Sequence, residues 1–564
     1  MKFDRISEII KTNTVFPDGS GSILIHISAS DDADVTNISG TFVSEAEKNG
    51  IPLHIIITGP TGYYDLEPLV RIEKPGKPSM LFRNVDNNVA GTLVREYLVS
   101  EGEENELPQR PPERTPRNDN LTSNNLLCSM GPGTIEGIPD CNDLPLFSLQ
   151  RRVALRNCGM TDPRTIDHYL AHGNGYTGLD KSLRMSPGEV VAELEQSGLR
   201  GRGGAGYTAA EKWRICRDAE GDEKYVVCNA VDADPDSLTV KLLLESDPHS
   251  VLEGMLIAAY AVGASHCLLC VSPRKGAGRK RIEDALEQMK GYTLVGDNIL
   301  DSGFSCTIEL REVAGSFVSG EETALICAVE GRQPIPYLRT VYPAVRGINE
   351  KPTLVNSVET LSAVSGIFQN GAEWYSGTGG TKVVMLAGDV QHRRTVEVSF
   401  GTTLRSMVMD IGGGVRNGGT LKAIRFGGPT GSLFDTDSLD IGIDYESMRE
   451  TGGIIGSGVI RVYDNSRCAV EITRDCFDYI QSESCGKCVF CREGSLQIYD
   501  ILNAISRNEG KPGDLELITE LGEAMKEGSI CSLGSTAGSL ALSSIRRFGD
   551  DYESHITRKK CPAA

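Results

Sequence analysis

Cys485, Cys488 and Cys491 recur at every third position in Cys485-Gly486-Lys487-Cys488-Val489-Phe490-Cys491, and Cys531 follows in Ser529-Ile530-Cys531-Ser532-Leu533-Gly534. Two residues between successive thiolates let one tight turn aim three sulfurs at a common centre. A remote fourth completes the Cys₄ set that an iron–sulfur cluster needs. Zinc is the rival ion, since it also accepts four thiolates. Structural zinc sites usually pair two Cys-x₂-Cys knuckles, so the spacing is closer to cubane ligation. These four residues are the expected metal ligands, and one-electron transfer is the chemistry they imply. The other cysteines suggest no such site. Cys267 and Cys270 lie in an apolar strand-like run whose alternation sends them to opposite faces, as buried structural thiols do. Cys128, Cys141, Cys158 and Cys561 have ligand-poor spacing and receive no role. A disulfide framework is not expected. The chain has 564 residues and opens MKFDRISEIIKTN, without the apolar core of a signal peptide. The expected compartment is reducing and cytoplasmic.

A second chemical feature is the run Ser197-Gly198-Leu199-Arg200-Gly201-Arg202-Gly203-Gly204-Ala205-Gly206-Tyr207. Glycines at this density remove Cβ atoms, so backbone N–H groups can converge on an anion while Arg200, Arg202 and Lys212 add positive charge. A flexible turn is the plainer reading. A helical stretch, PGEVVAELEQ, comes first, which departs from the strand-loop-helix order of a dinucleotide fingerprint. Further on, the strand Lys224 to Cys228 ends in Asn229-Ala230-Val231-Asp232-Ala233-Asp234-Pro235. Polar residues at a strand's carboxyl end sit where α/β folds place ligands. Glu321 and Glu322 open an apolar helix after Gly320, where the helix dipole alone favours acids. Lys351 to Thr360 repeats the pattern of a strand followed by a capped helix.

The elements that must position these groups divide by composition. Residues 22–30 and 53–58 look like strands, and 35–49 between them like a helix. Residues 100–125 are rich in proline, charge and asparagine and read as a solvated linker. From Cys485 to about Phe548 the periodicity is helical, which suggests a small bundle around the cluster. The formal charge of −20 argues against a nucleic-acid partner, because phosphate neutralisation needs clustered Lys and Arg. No apolar run reaches the ~18 residues of a spanning helix, so no direct membrane span is expected.

RNCGMTDPRTIDHYLAHGN, GLRGRGGAGY, SDPHSVLEGM, SGEETAL, EKPTLVNSVETL, FGGPTG and SCGKCVFCREG occur in that order. Together they resemble the NADH-binding flavoprotein subunit of respiratory complex I. They are equally similar to the beta subunits of NAD-dependent [FeFe] hydrogenases and formate dehydrogenases, some of them electron-bifurcating. The likeness runs from about Phe147 to Ile556. It implies an α/β multidomain fold: a thioredoxin-like domain over 1–99, a linker over 100–126, a Rossmann-like FMN/NAD(H)-binding core over 127–380, a ubiquitin-like β-grasp domain over 381–460, and a four-helix bundle with a [4Fe–4S] cluster over 461–564. Residues 1–127 contain no cysteine, so the [2Fe–2S] cluster such N-terminal domains commonly hold is not expected here.

On the family pattern Gly201, Arg202, Gly203, Gly204 and Lys212 would hold the FMN phosphate and ribityl chain. Asn229, Asp232, Gly320, Glu321, Asn356 and Ser357 would lie near the flavin. Tyr207, Asp234, Glu322 and Tyr342 would meet the dinucleotide, with aromatic faces suited to adenine. No side chain is assigned a catalytic role, because the flavin itself converts a hydride donor into single electrons. The partners implied are a small thioredoxin-like [2Fe–2S] subunit and a larger iron–sulfur catalytic subunit. Two departures from the family pattern stand out. Val231 replaces a carboxylate that bonds the flavin polyol, and Asp236 replaces a glycine, which implies repulsion of a nearby phosphate. They leave room for an alternative, an electron-relay subunit that keeps the cluster with weakened or lost FMN and NADH binding. FGGPTG reads as a tight structural turn, and Arg339 as either a 2′-phosphate partner or a surface cation.

Overall fold

β1 (Ile23–Ser28) is buried along its whole length because it runs inside a sheet with helix on one face and protein on the other. In this computed structural model the described residues are 23–30, 32–99, 125–131, 135, 137–172, 174–231, 234–273 and 276–563. The expected linker lies outside them up to residue 124, as does Asp232. With β2 (Leu53–Thr58), β3 (Leu69–Glu73), β4 (Ser79–Phe82) and β5 (Leu126–Met130), β1 forms a five-stranded sheet in the order β2-β1-β3-β4-β5. Only the β1–β2 pair is parallel. Helix α1 (Asp32–Asn49) buries Val35, Ile38, Phe42 and Ala46, a helical stripe, against Ile25, Ile27 and Ile72. The opposite face delivers Leu69 and Leu81 to a core shared with a later sheet.

Cys128 and Cys141 form a disulfide, which corrects the expectation of none. The cause is tertiary. β5 is followed by a return in which the Ser129 amide donates to the Pro139 carbonyl at 3.0 Å, and the two Cα atoms come within 5.1 Å, a span a disulfide bridges.

The middle of the chain begins with α2 (Pro187–Ser197), the glycine loop and α3 (Ala209–Asp218), so a helix does precede that loop. β6 (Tyr225–Ala230) then leads through α4 (Pro248–Val262) to β7 (His266–Val271) and on to β8 (Thr307–Glu312). α5 (Glu322–Val329) precedes β9 (Thr353–Ser357), which runs into α6 (Val358–Asn370). The four strands are all parallel, in the order β8-β7-β6-β9. After three strands laid one way, β9 returns to the far side of β6, so the sheet has its switch point between β6 and β9. Cys267 and Cys270 do face opposite sides, each in a different core cluster.

A second mixed sheet holds β10 (Thr381–Gly388), β11 (Thr395–Ser399), β12 (Leu421–Phe426), β13 (Ser432–Phe434) and β14 (Val459–Asp464), in the order β11-β10-β14-β12-β13. The C-terminal part is helical: α7 (Ala469–Glu483), α8 (Val489–Ser506), α9 (Asp514–Gly528) and α10 (Ser532–Ile556) pack around one core. The molecule is thus a mixed α/β chain of several packed layers with a helical C-terminus. None of its described helices is long and apolar enough to cross a membrane.

Candidate functional site

Two of the four expected cluster ligands sit at helix starts. Cys488 is the N-cap of α8 and Cys531 the N-cap of α10. Each helix therefore turns the partial positive charge of its N-terminus toward the thiolates, which favours an anionic centre. Gly486, at φ +75°, takes the left-handed backbone that folds Cys485 back beside Cys488. Cys491 is buried in the first turn of α8. The first turn of α10 lies directly on it, since a Cβ added to Gly534 would be 2.9 Å from the Cys491 Cβ. Burial raises the Cys491 thiol, and its neighbours Cys488 and Cys485 add to the effect. Burial likewise pushes Cys531 up to about 12, with Cys491 and Cys485 contributing. The four sulfurs thus come from two segments to one place. The buried Ser529 hydroxyl beside them has no partner among the described residues, a donor available to a cluster sulfur. The residues fit a Cys₄ cluster.

A cavity of about 440 Å³, in the size range of cofactor sites, opens at the sheet's switch point. This is where open α/β sheets place ligands, outside the carboxyl ends of the strands. β6 contributes Asn229 and, just past its end, Val231, while β9 contributes Ser357. The glycine loop adds Gly203 and Gly204, and the 317–321 segment adds Phe317, Gly320 and Glu321. Cys531, Ser532 and Leu533 form part of the same wall, so a group bound here would share its boundary with the cluster.

The glycine loop has its shape for steric reasons. Gly198 ends α2 in the left-handed region, and the Gly201 amide donates to the Tyr207 carbonyl at 2.8 Å. A Cβ on Gly206, at φ +66°, would lie 2.5 Å from the Tyr445 ring. One on Gly204, at φ +110°, would lie 3.1 Å from Gly456. At Gly203 and Gly204 the loop therefore offers bare backbone to the cavity, between Arg202 and Ala205. Thr239 lines the same cavity, and its buried hydroxyl has no partner among the described residues. A bare backbone cradle and an unanswered hydroxyl fit a polar cofactor such as FMN.

The expected binding residues divide into two groups. Arg202, Gly203, Gly204, Asn229, Asp234, Gly320, Glu321 and Ser357 line the cavity, whereas Gly201, Tyr207, Lys212, Glu322, Tyr342 and Asn356 do not. The positive charge expected around the glycine loop is largely committed elsewhere. The buried Arg202 guanidinium donates to the Arg200 carbonyl at 2.6 Å and to the Tyr375 hydroxyl. Arg200 pairs with Glu446 at 2.6 Å. Lys212 donates to Glu322 at 2.6 Å and to the Val355 carbonyl at 2.9 Å. Burial raises the Glu322 carboxyl, but Lys212 and Arg339 outweigh it and hold the group below its ordinary value. Glu321 caps α5, accepting from the Thr323 and Ala324 amides at 2.8 and 3.0 Å. Arg339 pairs with Glu321 and, at 3.5 Å, with Glu322. Asn356 accepts from the Trp213 indole at 3.0 Å. Tyr207 and Tyr342, 49% and 62% exposed, are large aromatics left uncovered.

Asp236 does not act as its charge suggested. It is absent from the cavity wall, and both its oxygens accept from Arg461, at 2.7 and 2.6 Å. The expected repulsion is corrected by an arginine on β14, 225 residues away in sequence. Asp234 does line the cavity, and burial pushes it up to about 6, against the Ser457 hydroxyl that donates to it.

Other parts of the site were not among the residues expected to bind. The FGGPTG segment is the tight β12–β13 turn that was expected, yet Gly427 and Thr430 also line the cavity. Gly456 closes against it so tightly that a Cβ there would lie 2.2 Å from the Gly427 carbonyl oxygen. Lys382 and Glu359 line the wall as well. Away from the cavity, donor atoms of Cys468, His555 and Cys561 lie within 4.8 Å of one another, and the His555 Nδ1 meets the Asn508 side-chain oxygen at 2.9 Å. Two thiols and an oriented imidazole are zinc-type donors, one short of a tetrahedral set.

A switch-point cavity bordered by Cys531, one of four cysteines whose setting fits a cluster, points to a class, the flavin and iron–sulfur electron-transfer proteins. Residues 194–366 match the Nuo51 FMN-binding domain, and residues 471–555 match the NADH-ubiquinone oxidoreductase-F iron-sulfur binding region. The chain is 44% identical over 419 residues to the NADP-reducing hydrogenase subunit HndC of Solidesulfovibrio fructosivorans, covering 73% of this chain and 85% of that protein. It is 35% identical over 403 residues to the F subunit of NADH-quinone oxidoreductase from Streptomyces coelicolor, covering 71% and 89%. The fold is similar to a chain of an NAD⁺-reducing [NiFe]-hydrogenase in the H₂-reduced state, at TM-score 0.62 and 24% identity, covering 100% of this chain and 89% of that one. The chain belongs to the family formed by the F subunits of NADH-quinone oxidoreductases and their hydrogenase relatives. It carries an FMN-binding domain and an iron–sulfur region, and it is an NAD(P)H oxidoreductase subunit.

Proposed function

We propose that this chain takes electrons from NADH at the switch-point cavity and passes them singly through the Cys485/Cys488/Cys491/Cys531 site to partner subunits, or runs the reverse. The observation that carries the proposal is the shared wall: Cys531, Ser532 and Leu533 border the cavity that the ends of β6 and β9 open. FMN, when bound, converts a two-electron hydride donor into one-electron traffic. The chain's own residues bind, orient and insulate. Gly203 and Gly204 would offer the cofactor bare backbone, and Asn229, braced by its bond to the Gly320 carbonyl at 2.8 Å, would help to hold it. Tyr207 and Tyr342 offer uncovered aromatic faces for adenine, and Glu322, held ionised by Lys212, suits a ribose hydroxyl. The ordered helix starts at Cys488 and Cys531 retain charge on the cluster.

The reading extends to domains and partners. Strands β1–β4 of the first sheet serve as a thioredoxin-like domain over 1–99, whose sheet takes its fifth strand, β5, from beyond the linker, and a Rossmann-like core over 127–380 follows. A ubiquitin-like domain over 381–460 and a four-helix bundle over 461–564 follow. A thioredoxin-like [2Fe–2S] subunit and a larger iron–sulfur catalytic subunit accept the electrons, in the cytoplasm. Val231 favours a second reading, a relay subunit with weakened flavin binding. A lost charge-assisted hydrogen bond lowers affinity by about 1.5–3 kcal/mol, roughly one to two decades. The test is anaerobic purification followed by flavin and iron analysis and titration with NADH. Bleaching of a bound flavin supports the first reading; a full cluster with no flavin and no NADH response supports the second.

A further inference from the structure

The first sheet buries polar residues on the face that α1 does not cover. Ile25, Ile27, Val70 and Ile72 pack beneath α1, so alternation turns His26 and Ser28 of β1 and Arg71 of β3 the other way. Residues from the 141–160 segment and the turn at Thr61 lie over that second face, and a cavity of about 300 Å³ stays open between them, large enough for a small molecule. His26 and Ser28, on its wall, are 3% and 4% exposed. A face buried only for packing would be apolar, because polar groups lose water on burial and need partners in its place. No described residue lines both this cavity and the one at the switch point.

Two arginines reach the wall, and they differ. Arg71 is answered: it pairs with Glu73 at 2.9 Å and meets the His26 ring at 3.2 Å. Burial lowers His26 below its ordinary value, so that imidazole adds no charge at neutral pH. Arg152 has no acid partner among the described residues. Its guanidinium donates to the Thr61 carbonyl at 3.3 Å and lies 5.8 Å from the centre of the Tyr63 ring, and its Nε has no partner among those residues. Tyr63 is itself buried, and its hydroxyl accepts from the Gln150 amide at 2.9 Å, which leaves the phenolic proton to donate. No acid among the described residues lines the cavity, while Leu69, Leu81 and Phe147 give it an apolar side. A guanidinium taken partly out of water without a counter-charge favours an anion beside it.

We infer that this cavity binds a small organic acid, its carboxylate on Arg152 and the Tyr63 hydroxyl and its hydrocarbon body against Leu69, Leu81 and Phe147. Charge selects the class. With Arg71 neutralised by Glu73, one open guanidinium balances a monoanion, whereas a phosphate ester would bring close to two charges. The planar fork of a guanidinium also matches a carboxylate in shape. The exposed Asn142 on the wall gives such a molecule a way in.

The test is calorimetric titration of the full-length protein with benzoate and hexanoate, set against benzamide and hexanamide as neutral counterparts and inorganic phosphate as a bare anion. At least one acid should bind, about tenfold or more tightly than its own amide, and phosphate should not displace it. Arg152→Gln should erase the preference for acid over amide. Arg152→Lys, which keeps the charge without the fork, should retain part of it. Tyr63→Phe removes only a hydroxyl and should weaken the acid severalfold; it decides the matter where Arg152→Gln does not fold. Failure of both acids to bind, equal binding of acid and amide, or a preference that survives the folded variant overturns the inference. Phosphate binding in place of the acids overturns the class of ligand. The readout uses neither flavin nor cluster, so it stands or falls apart from the function proposed above.

Discussion

The proposed cluster pocket and the proposed flavin cavity share a wall but are assembled by opposite means. In the proposed reading four cysteines from two segments make the cluster site, and each is there for the chemistry of its own sulfur. The cavity draws on the ends of β6 and β9, the glycine loop, the 317–321 segment, the β12–β13 turn, the loop at Gly456 and the first turn of α10. There the residue type often matters less than the absence of a side chain. A ligand set can thus be broken by one atom, whereas a cavity is broken by closing space or altering charge.

The largest effect expected is on the cluster. Cys491→Ala should abolish the roughly four irons per chain of a cubane, measured on anaerobic protein, while leaving much of the flavin in place. Equal loss of both would mean the two sites are not separable. Next in size is Gly456→Ala. Its Cβ would collide with the Gly427 carbonyl from a left-handed backbone, at a cost of about 1–3 kcal/mol from the backbone alone. Flavin should be lost at purification while iron stays near the parent value.

Val231→Asp and Asp236→Gly separate charge inside the cavity from charge outside it. Val231 borders the cavity, so a carboxylate there should tighten FMN by about tenfold or more. Asp236→Gly should gain nothing in FMN affinity and should loosen Arg461, because its acid already serves that arginine. A gain from the second substitution would return Asp236 to the ligand's side.

The effect furthest from the electron path is a pH dependence at Asp234. Its folded value of about 6 stands above the ordinary 3.8, so the fold prefers the protonated form. The stability it confers is fully present below pH 3.8 and is lost as pH rises through about 6. Asp234→Asn, neutral throughout, should therefore gain on the parent between pH 4 and pH 7.5 by on the order of 2 kcal/mol, read from melts at both pH values. A constant difference would place the carboxyl in a more polar setting.

These contrasts also explain what was legible in the sequence. Cys485, Cys488 and Cys491 could be read because local spacing alone brings them together. The strands expected at 22–30 and 53–58 and the helix expected at 35–49 could be read from apolar pattern, and β1, β2 and α1 lie there to within three residues at each end. Asn229 and Ser357 could be read from local pattern only as strand ends; the expectation that they share one site came from the family resemblance, since their meeting depends on β9 returning to β6. The Cys128–Cys141 disulfide, the Asp236–Arg461 pair and the Cys468, His555 and Cys561 cluster are contacts across the fold, and no local pattern encodes them. Arg202 and Lys212 show the converse, where a correct signal of charge near the loop did not reveal which partners hold it.

The account turns on electrons crossing the shared wall from cavity to cluster. The direct test is to add NADH anaerobically to the reconstituted parent and to Cys531→Ala, following flavin bleaching optically and the reduced cluster by electron paramagnetic resonance. Both signals should change in the parent, while the variant should bleach its flavin with no cluster signal. A cluster that NADH reduces in parent protein lacking flavin, or one that stays oxidised while bound flavin bleaches, would contradict it.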